Sequence, residues 1–265
     1  MSTVLDIDDY DLGEARALAA SFGQDHFGYV VTPNVDHIIR YCRDPAFRAL
    51  YARASYVLLD SRFLERALRG LKGRRLKVCT GSDLTLDLLS RVIKPQDATV
   101  LVGASVEQAE QLRDRFRLEA LRHVKPSMNF IRDEAAVEAC LRDIEQSSPF
   151  RFCFLAIGSP QQEIIAHELQ RRGIARGLAL CVGGSINFVT GYEKRAPRWM
   201  QGLGCEWLFR LLQSPRRLAY RYLVRGPRIF LLLPRIKLRL RRPTPVPAEP
   251  PEGSGTVARS VALGR

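Results

Sequence analysis

The short apolar run Tyr56–Leu59 ends in Asp60-Ser61. A carboxylate in that position can accept a proton from an attacking hydroxyl as general base, or can simply cap the helix that follows. An earlier apolar run, Phe27–Val31, ends in Thr32-Pro33-Asn34, whose side-chain oxygens can cap a helix and whose helix N–H groups can hold an anion. Thr80-Gly81-Ser82-Asp83 has the form of a small phosphate-holding turn but lacks the lysine and spacing of a P-loop. In Gly158-Ser159-Pro160-Gln161-Gln162-Glu163, the glycine permits close backbone approach, and the proline and acid suit a helix start. A plain helix start explains all of these except Gln162, whose amide can pair with a base edge or with sugar hydroxyls. Gly183-Gly184-Ser185-Ile186-Asn187 leaves room for a ligand, and Arg195, in Lys194-Arg195-Ala196-Pro197, can pair with a diphosphate.

These groups need a scaffold that collects strand ends. The runs Phe27–Val31, Tyr56–Leu59, Leu76–Cys79, Thr99–Val102, Phe152–Ile157 and Leu178–Val182 are short, apolar and rich in β-formers, as strands buried on both faces are. Between them, Val35–Ala52, Asp83–Ile93, Val106–Glu119, Glu134–Gln146 and Gln161–Arg172 read as helices. The alternation predicts an α/β fold with a mainly parallel, Rossmann-like sheet, which binds ligands beyond the carboxyl ends of its strands. From Gly202 onward the pattern predicts helices only: Cys205–Gln213, Arg216–Val224 and Arg228–Arg241, the last interrupted at Pro234. Residues 243–265 are rich in Pro, Gly, Ser and Ala, and are expected to be disordered.

The 265 residues carry a net charge of +13, and its location is informative. Residues 194–242 hold 14 Lys and Arg against one acid, Glu206, so they account for the whole excess and the remainder is neutral. The expected organisation is a catalytic body over 1–204, a basic helical appendage over 205–242 and a tail over 243–265. Apolar residues interleave with the charge in the appendage, among them Trp207, Leu211, Tyr220, Phe230 and Leu231. That mixture suits an anionic membrane surface. A nucleic-acid-binding protein is the alternative, but no zinc finger or RNP motif is present. A nucleotide-dependent oxidoreductase is a second alternative, disfavoured by the missing GxGxxG. The six cysteines are widely spaced with no CxxC, the N-terminus is acidic, and no apolar run reaches ~20 residues. The expectation is a reduced, cytoplasmic protein.

Taken in order, these segments resemble the WecG/TagA/CpsF glycosyltransferase family from about Phe27 to Val224. The carrying motifs are Thr-x-Asn, the strand-end Asp, Thr-Gly-Ser-Asp, Gly-x-Pro-x-Gln-Glu, Val-Gly-Gly, Arg-Ala-Pro and Glu-Trp-x-x-Arg-Leu…Pro-x-Arg. The resemblance implies transfer of a sugar, with inversion, from a UDP donor to a polyprenyl-diphosphate-linked saccharide at the inner face of the bacterial plasma membrane, without cofactor or required metal. It implies that Asp60 is the base, that Thr32 and Asn34 line its pocket, and that Gln162 belongs to the nucleotide-sugar site. Arg210, Arg217 and Arg221 are then the arginines that approach the lipid diphosphate. With these go the turn residues Gly81, Gly158, Gly183, Gly184 and Asn187 on the donor and Arg195 on the acceptor diphosphate. Three departures change the donor pocket while leaving Asp60 in place. They are Ser61 where the family often has Gly, Gln161 where it often has Lys, and Asn187 where it often has Asp.

Overall fold

A computed structural model describes residues 3–241; Arg242, the expected tail over 243–265 and the side chain of Arg217 lie outside the described residues. The chain runs β1 (Thr3–Asp8), α1 (Leu12–Ser21), β2 (Phe27–Val31), α2 (Val35–Arg43), α3 (Pro45–Ala52), β3 (Tyr56–Val57), α4 (Arg62–Lys72) and α5 (Gly81–Arg91). It continues with β4 (Thr99–Gly103), α6 (Val106–Phe116), β5 (Leu121–Val124), α7 (Glu134–Glu145), β6 (Phe152–Ala156), α8 (Gln161–Arg172), β7 (Gly177–Cys181) and α9 (Ser185–Val189). The C-terminal part adds α10 (Arg198–Gly202), α11 (Glu206–Gln213), α12 (Pro215–Ala219), a wide π-helical turn over Tyr220–Arg225, α13 (Ile229–Leu232) and β8 (Ile236–Arg241). No helix among the described residues is long and apolar enough to cross a membrane.

Six strands form one all-parallel sheet in the order β3-β2-β7-β6-β4-β5. Its inner strands β4 and β7 are buried at every position, which is what continuous apolar runs require. One face carries α2, α3, α4, α7 and α8, packed through Ile38, Phe47, Leu64, Leu141 and Ile165. The other carries α1, α5, α6 and α9 through Leu18, Leu88, Leu112 and Ile186. Loops leaving β2 and β6 therefore enter helices on the first face, and the loop leaving β7, between them, enters the second. That divergence opens a crevice at the carboxyl ends of these three strands.

Several local expectations are corrected. Pro45 ends the predicted Val35–Ala52 helix, because Asp44 caps a new helix by accepting from the N–H groups of Ala46 and Phe47. Leu76–Cys79 is not a strand: the Cys79 N–H bonds to the Leu59 carbonyl at 3.0 Å, but no ladder follows. Most informative is Arg228–Arg241, whose second half is a strand and not a helix. In Ile236-Lys237-Leu238-Arg239-Leu240-Arg241 apolar and basic residues alternate with period two, the signature of a half-buried strand. It pairs in parallel with β1, Thr3 opposite Ile236 and Asp8 opposite Arg241. Asp6 faces Arg239 across the pair and receives both its Nε and Nη2 hydrogen bonds, at 2.5 and 2.6 Å.

Candidate active site

A cavity of about 510 Å³ lies over the strand ends. Its walls are made of the turns after β2, β3, β6 and β7, closed by residues of the C-terminal segment, including Glu206, Trp207, Arg210, Arg221 and Phe230. Four helices of eight or more residues, α2, α4, α5 and α8, begin at its rim through Asn34, Ser61, Thr80 and Gln162. Helix N-termini present partial positive charge and N–H groups, so their convergence favours an anionic ligand.

Asp60 lies within this cavity. The extended chain after β3 is tied to the β2 loop by the Asp60 N–H on the Pro33 carbonyl at 3.0 Å. Burial, reinforced by the charge of Glu206, pushes its carboxyl up to about 8; a hydrogen bond from the Gly81 N–H and the charge of Arg210 oppose that. A carboxylate so raised is a competent base near neutral pH. Gly81 thus touches the expected base, and a methyl group at its Cα would stand 3.0 Å from Thr32 Oγ1 and 3.7 Å from Asp60 Oδ2. Thr32, buried in the cavity wall, donates its hydroxyl to the Cys181 carbonyl at 3.2 Å and so pins β2 to β7. Asn34 caps α2, accepting from the N–H of Asp36 at 3.1 Å, and also receives Arg221 Nη2 at 3.5 Å.

Gln162 is only 3% exposed. Its Oε1 accepts from the Gly183 N–H at 2.8 Å and its Nε2 donates to Glu163 Oε1 at 3.0 Å. The amide therefore latches the glycine turn after β7, where Gly183 takes φ +51°, to the start of α8. Glu163 lies in the first turn of α8, as expected, and is 1% exposed, facing His37 Nε2 at 3.6 Å. The Asn34 N–H bonds to His37 Nδ1 at 3.2 Å, so the neutral ring carries its proton on Nε2, toward Glu163. Burial holds His37 below its usual pKa, against the pull of Glu163.

The structure gathers Thr32, Asn34, Asp60, Gly158, Gln162, Gly183, Gly184, Arg210 and Arg221 around the one cavity. Asn187 stands behind it, its Oδ1 accepting from Gln108 Nε2 at 2.9 Å. Arg195 is outside the lining as well: Asp83 Oδ1 holds its Nη1 at 2.5 Å. Arg210 packs over the Phe188 ring at 5.3 Å and faces Glu193 at 3.7 Å, while Arg221 and Arg225 face Asp36 at 3.7 and 3.5 Å. Arg62, Glu206, His37 and Glu163 were not singled out as site residues by spacing. Arg62 and Glu206 each sit at a helix start, where a solvated charge is ordinary. Two acid-x-acid sequences, Asp6-Ile7-Asp8 and Asp9-Tyr10-Asp11, are engaged elsewhere, by Arg239, Arg241, the Lys77 N–H and the α1 cap. Among the described residues, no three His, Cys, Asp or Glu side chains cluster as a metal site.

Compared with known proteins, residues 3–243 match the family described as "Glycosyl transferase WecG/TagA/CpsF family". The match takes in every element described above, β1 and β8 included.

Proposed function

The chain belongs to the WecG/TagA/CpsF glycosyltransferase family, and from that premise we propose that it moves a sugar from a UDP donor to a polyprenyl-diphosphate-linked saccharide during synthesis of a cell-surface polysaccharide. Membership makes it a transferase with a sugar donor and an acceptor. In our reading the donor lies across the strand ends, with its nucleotide against the Gly158 and Gly183-Gly184 turns. Asp60 takes the proton of the acceptor hydroxyl as that oxygen attacks the anomeric carbon; the bond to UDP breaks on the opposite side, and the configuration inverts. Negative charge leaves with UDP, and cationic side chains and helix N-termini offset it without a required metal. Arg210, Arg217 and Arg221 are assigned to the acceptor diphosphate.

The observation that carries this reading is the raised carboxyl of Asp60, set in a cavity at whose rim four helix N-termini converge. Residues 205–242 are assigned to an anionic membrane surface at the inner face of the plasma membrane. In support, Leu212 and Leu231 are each 71% exposed. Arg216, Arg228, Arg235 and Lys237 also form no ion pair with described residues, unlike Arg239 and Arg241, which bind Asp6 and Asp8.

The test is a panel of UDP-sugars offered with polyprenyl-diphosphate saccharides, with product anomers read by NMR. Asp60→Asn should lower turnover ~10²–10⁴-fold while UDP still binds. Near wild-type turnover in that variant, or a retained anomeric configuration, would remove Asp60 from the mechanism.

A further inference from the structure

Arg62 follows Asp60 by two residues, opens α4 and lines the cavity. Its Nη1 is buried and makes no hydrogen bond. Its ion pair with Asp83 Oδ2 is 3.7 Å long, beyond hydrogen-bond reach. Asp83 is already engaged, its Oδ1 by Arg195 at 2.5 Å and its Oδ2 by the Thr80 hydroxyl at 2.7 Å. Two guanidinium groups thus share one carboxylate, and each keeps a buried donor without a partner, Arg62 Nη1 and Arg195 Nε; of the two, Arg62 is the one that lines the cavity. Such donors are costly when buried and call for an acceptor. Ser61 and Ser82 line the same cavity and add two hydroxyl donors.

We propose that Arg62 binds a diphosphate, and that Arg195 is a positioning residue: by holding Asp83 it keeps Arg62 available to the ligand. The proposal rests on the glycosyltransferase reading, in which donor and acceptor each bring a diphosphate. A planar, permanently charged fork with unfilled N–H groups matches that chemistry. Arg195, by contrast, acts from outside the cavity through Asp83.

Calorimetric titration of the full chain with UDP and with farnesyl diphosphate tests both parts. Arg62→Gln should bind at least one of the two about ten- to hundredfold more weakly at unchanged Tm, the loss expected of a charge-assisted hydrogen bond. Loss confined to UDP assigns Arg62 to the donor, and loss confined to farnesyl diphosphate assigns it to the acceptor; both support the proposal. Arg62→Lys, which keeps the charge and loses the fork, should fall between wild type and Arg62→Gln and serves if the latter does not fold. Arg195→Gln should weaken the same ligand, and adding Asp83→Asn should restore it, because Arg62 is then free of the carboxylate again. A direct ligand role for Arg195 would not be rescued in this way, and that result overturns the positioning part. Equal affinities in wild type and Arg62→Gln overturn the Arg62 assignment while leaving the glycosyltransferase reading intact. A wild type that binds neither compound overturns both.

Discussion

Replacing Glu206 with glutamine should move the pH dependence of transfer toward lower pH. With its carboxyl at about 8, Asp60 is ionised in about one molecule in ten at pH 7 and about nine in ten at pH 9. If the carboxylate is the base, kcat/KM rises about tenfold across that interval, with its midpoint near the Asp60 value. The largest charge acting on Asp60 is that of Glu206, a like charge that favours the protonated form. Its removal lowers the Asp60 value, so the ionised share at pH 7 grows above about one in ten and the midpoint moves down. The somewhat weaker base lowers the plateau, so the midpoint is the quantity to read and not the height. Arg210 opposes Glu206, and Arg210→Gln should move the midpoint the other way. The assay is kcat/KM from pH 6 to 9.5 at fixed ionic strength. A midpoint that Glu206→Gln leaves in place, or a wild-type profile flat over that range, would refute the argument.

The same raised carboxyl costs stability. A folded-state value above the unfolded one means that the favourable contribution is complete below about pH 4 and is lost as pH rises toward 8. Asp60→Asn should therefore raise Tm by several degrees at pH 8 and little at pH 4 in thermal scans; a constant difference would contradict the linkage. With both substrates saturating, EDTA should leave most activity, and complete loss restored by Mg²⁺ or Mn²⁺ would reverse the assignment of charge stabilisation to the protein's own cations. Neutralising Arg216, Arg228, Arg235 and Lys237 should release the protein from anionic liposomes, at about 1 kcal/mol per residue that reaches the surface; undiminished, salt-independent flotation would exclude electrostatic docking.

The sheet was legible because β2, β4, β6 and β7 are runs such as Thr99-Val100-Leu101-Val102, which bury both faces and leave one reading. The position of Asp60 followed from its run in the same way. The roles of its neighbours did not follow, because they depend on distances between segments far apart in sequence. Gln162 reads as a ligand amide, yet its two ends are taken by Gly183 and Glu163. Arg195 reads as a diphosphate ligand, yet Asp83 holds it outside the cavity. The strand β8 was legible in principle. Its period-two alternation is plain in the sequence, and its basic residues answer the acids of Asp6-Ile7-Asp8. The surrounding prolines and helices masked it, since a strand of six residues with no nearby partner invites a helical reading.

The pairing of β1 with β8 has a consequence in time. At ~5–20 residues per second, synthesis takes roughly 3–12 seconds to pass from the end of β7 to the end of β8. All six strands of the main sheet exist before that interval begins. During it, β1, bearing Leu5 and Ile7, lacks the one strand it pairs with among the described residues. An unpaired apolar edge invites association with other chains, and charge on it is a common protection. Asp6 and Asp8 supply that charge on the nascent chain before Arg239 and Arg241 exist to neutralise them. The acids that pair with β8 in the finished protein are thus, until β8 is made, unneutralised charges on a strand without its partner.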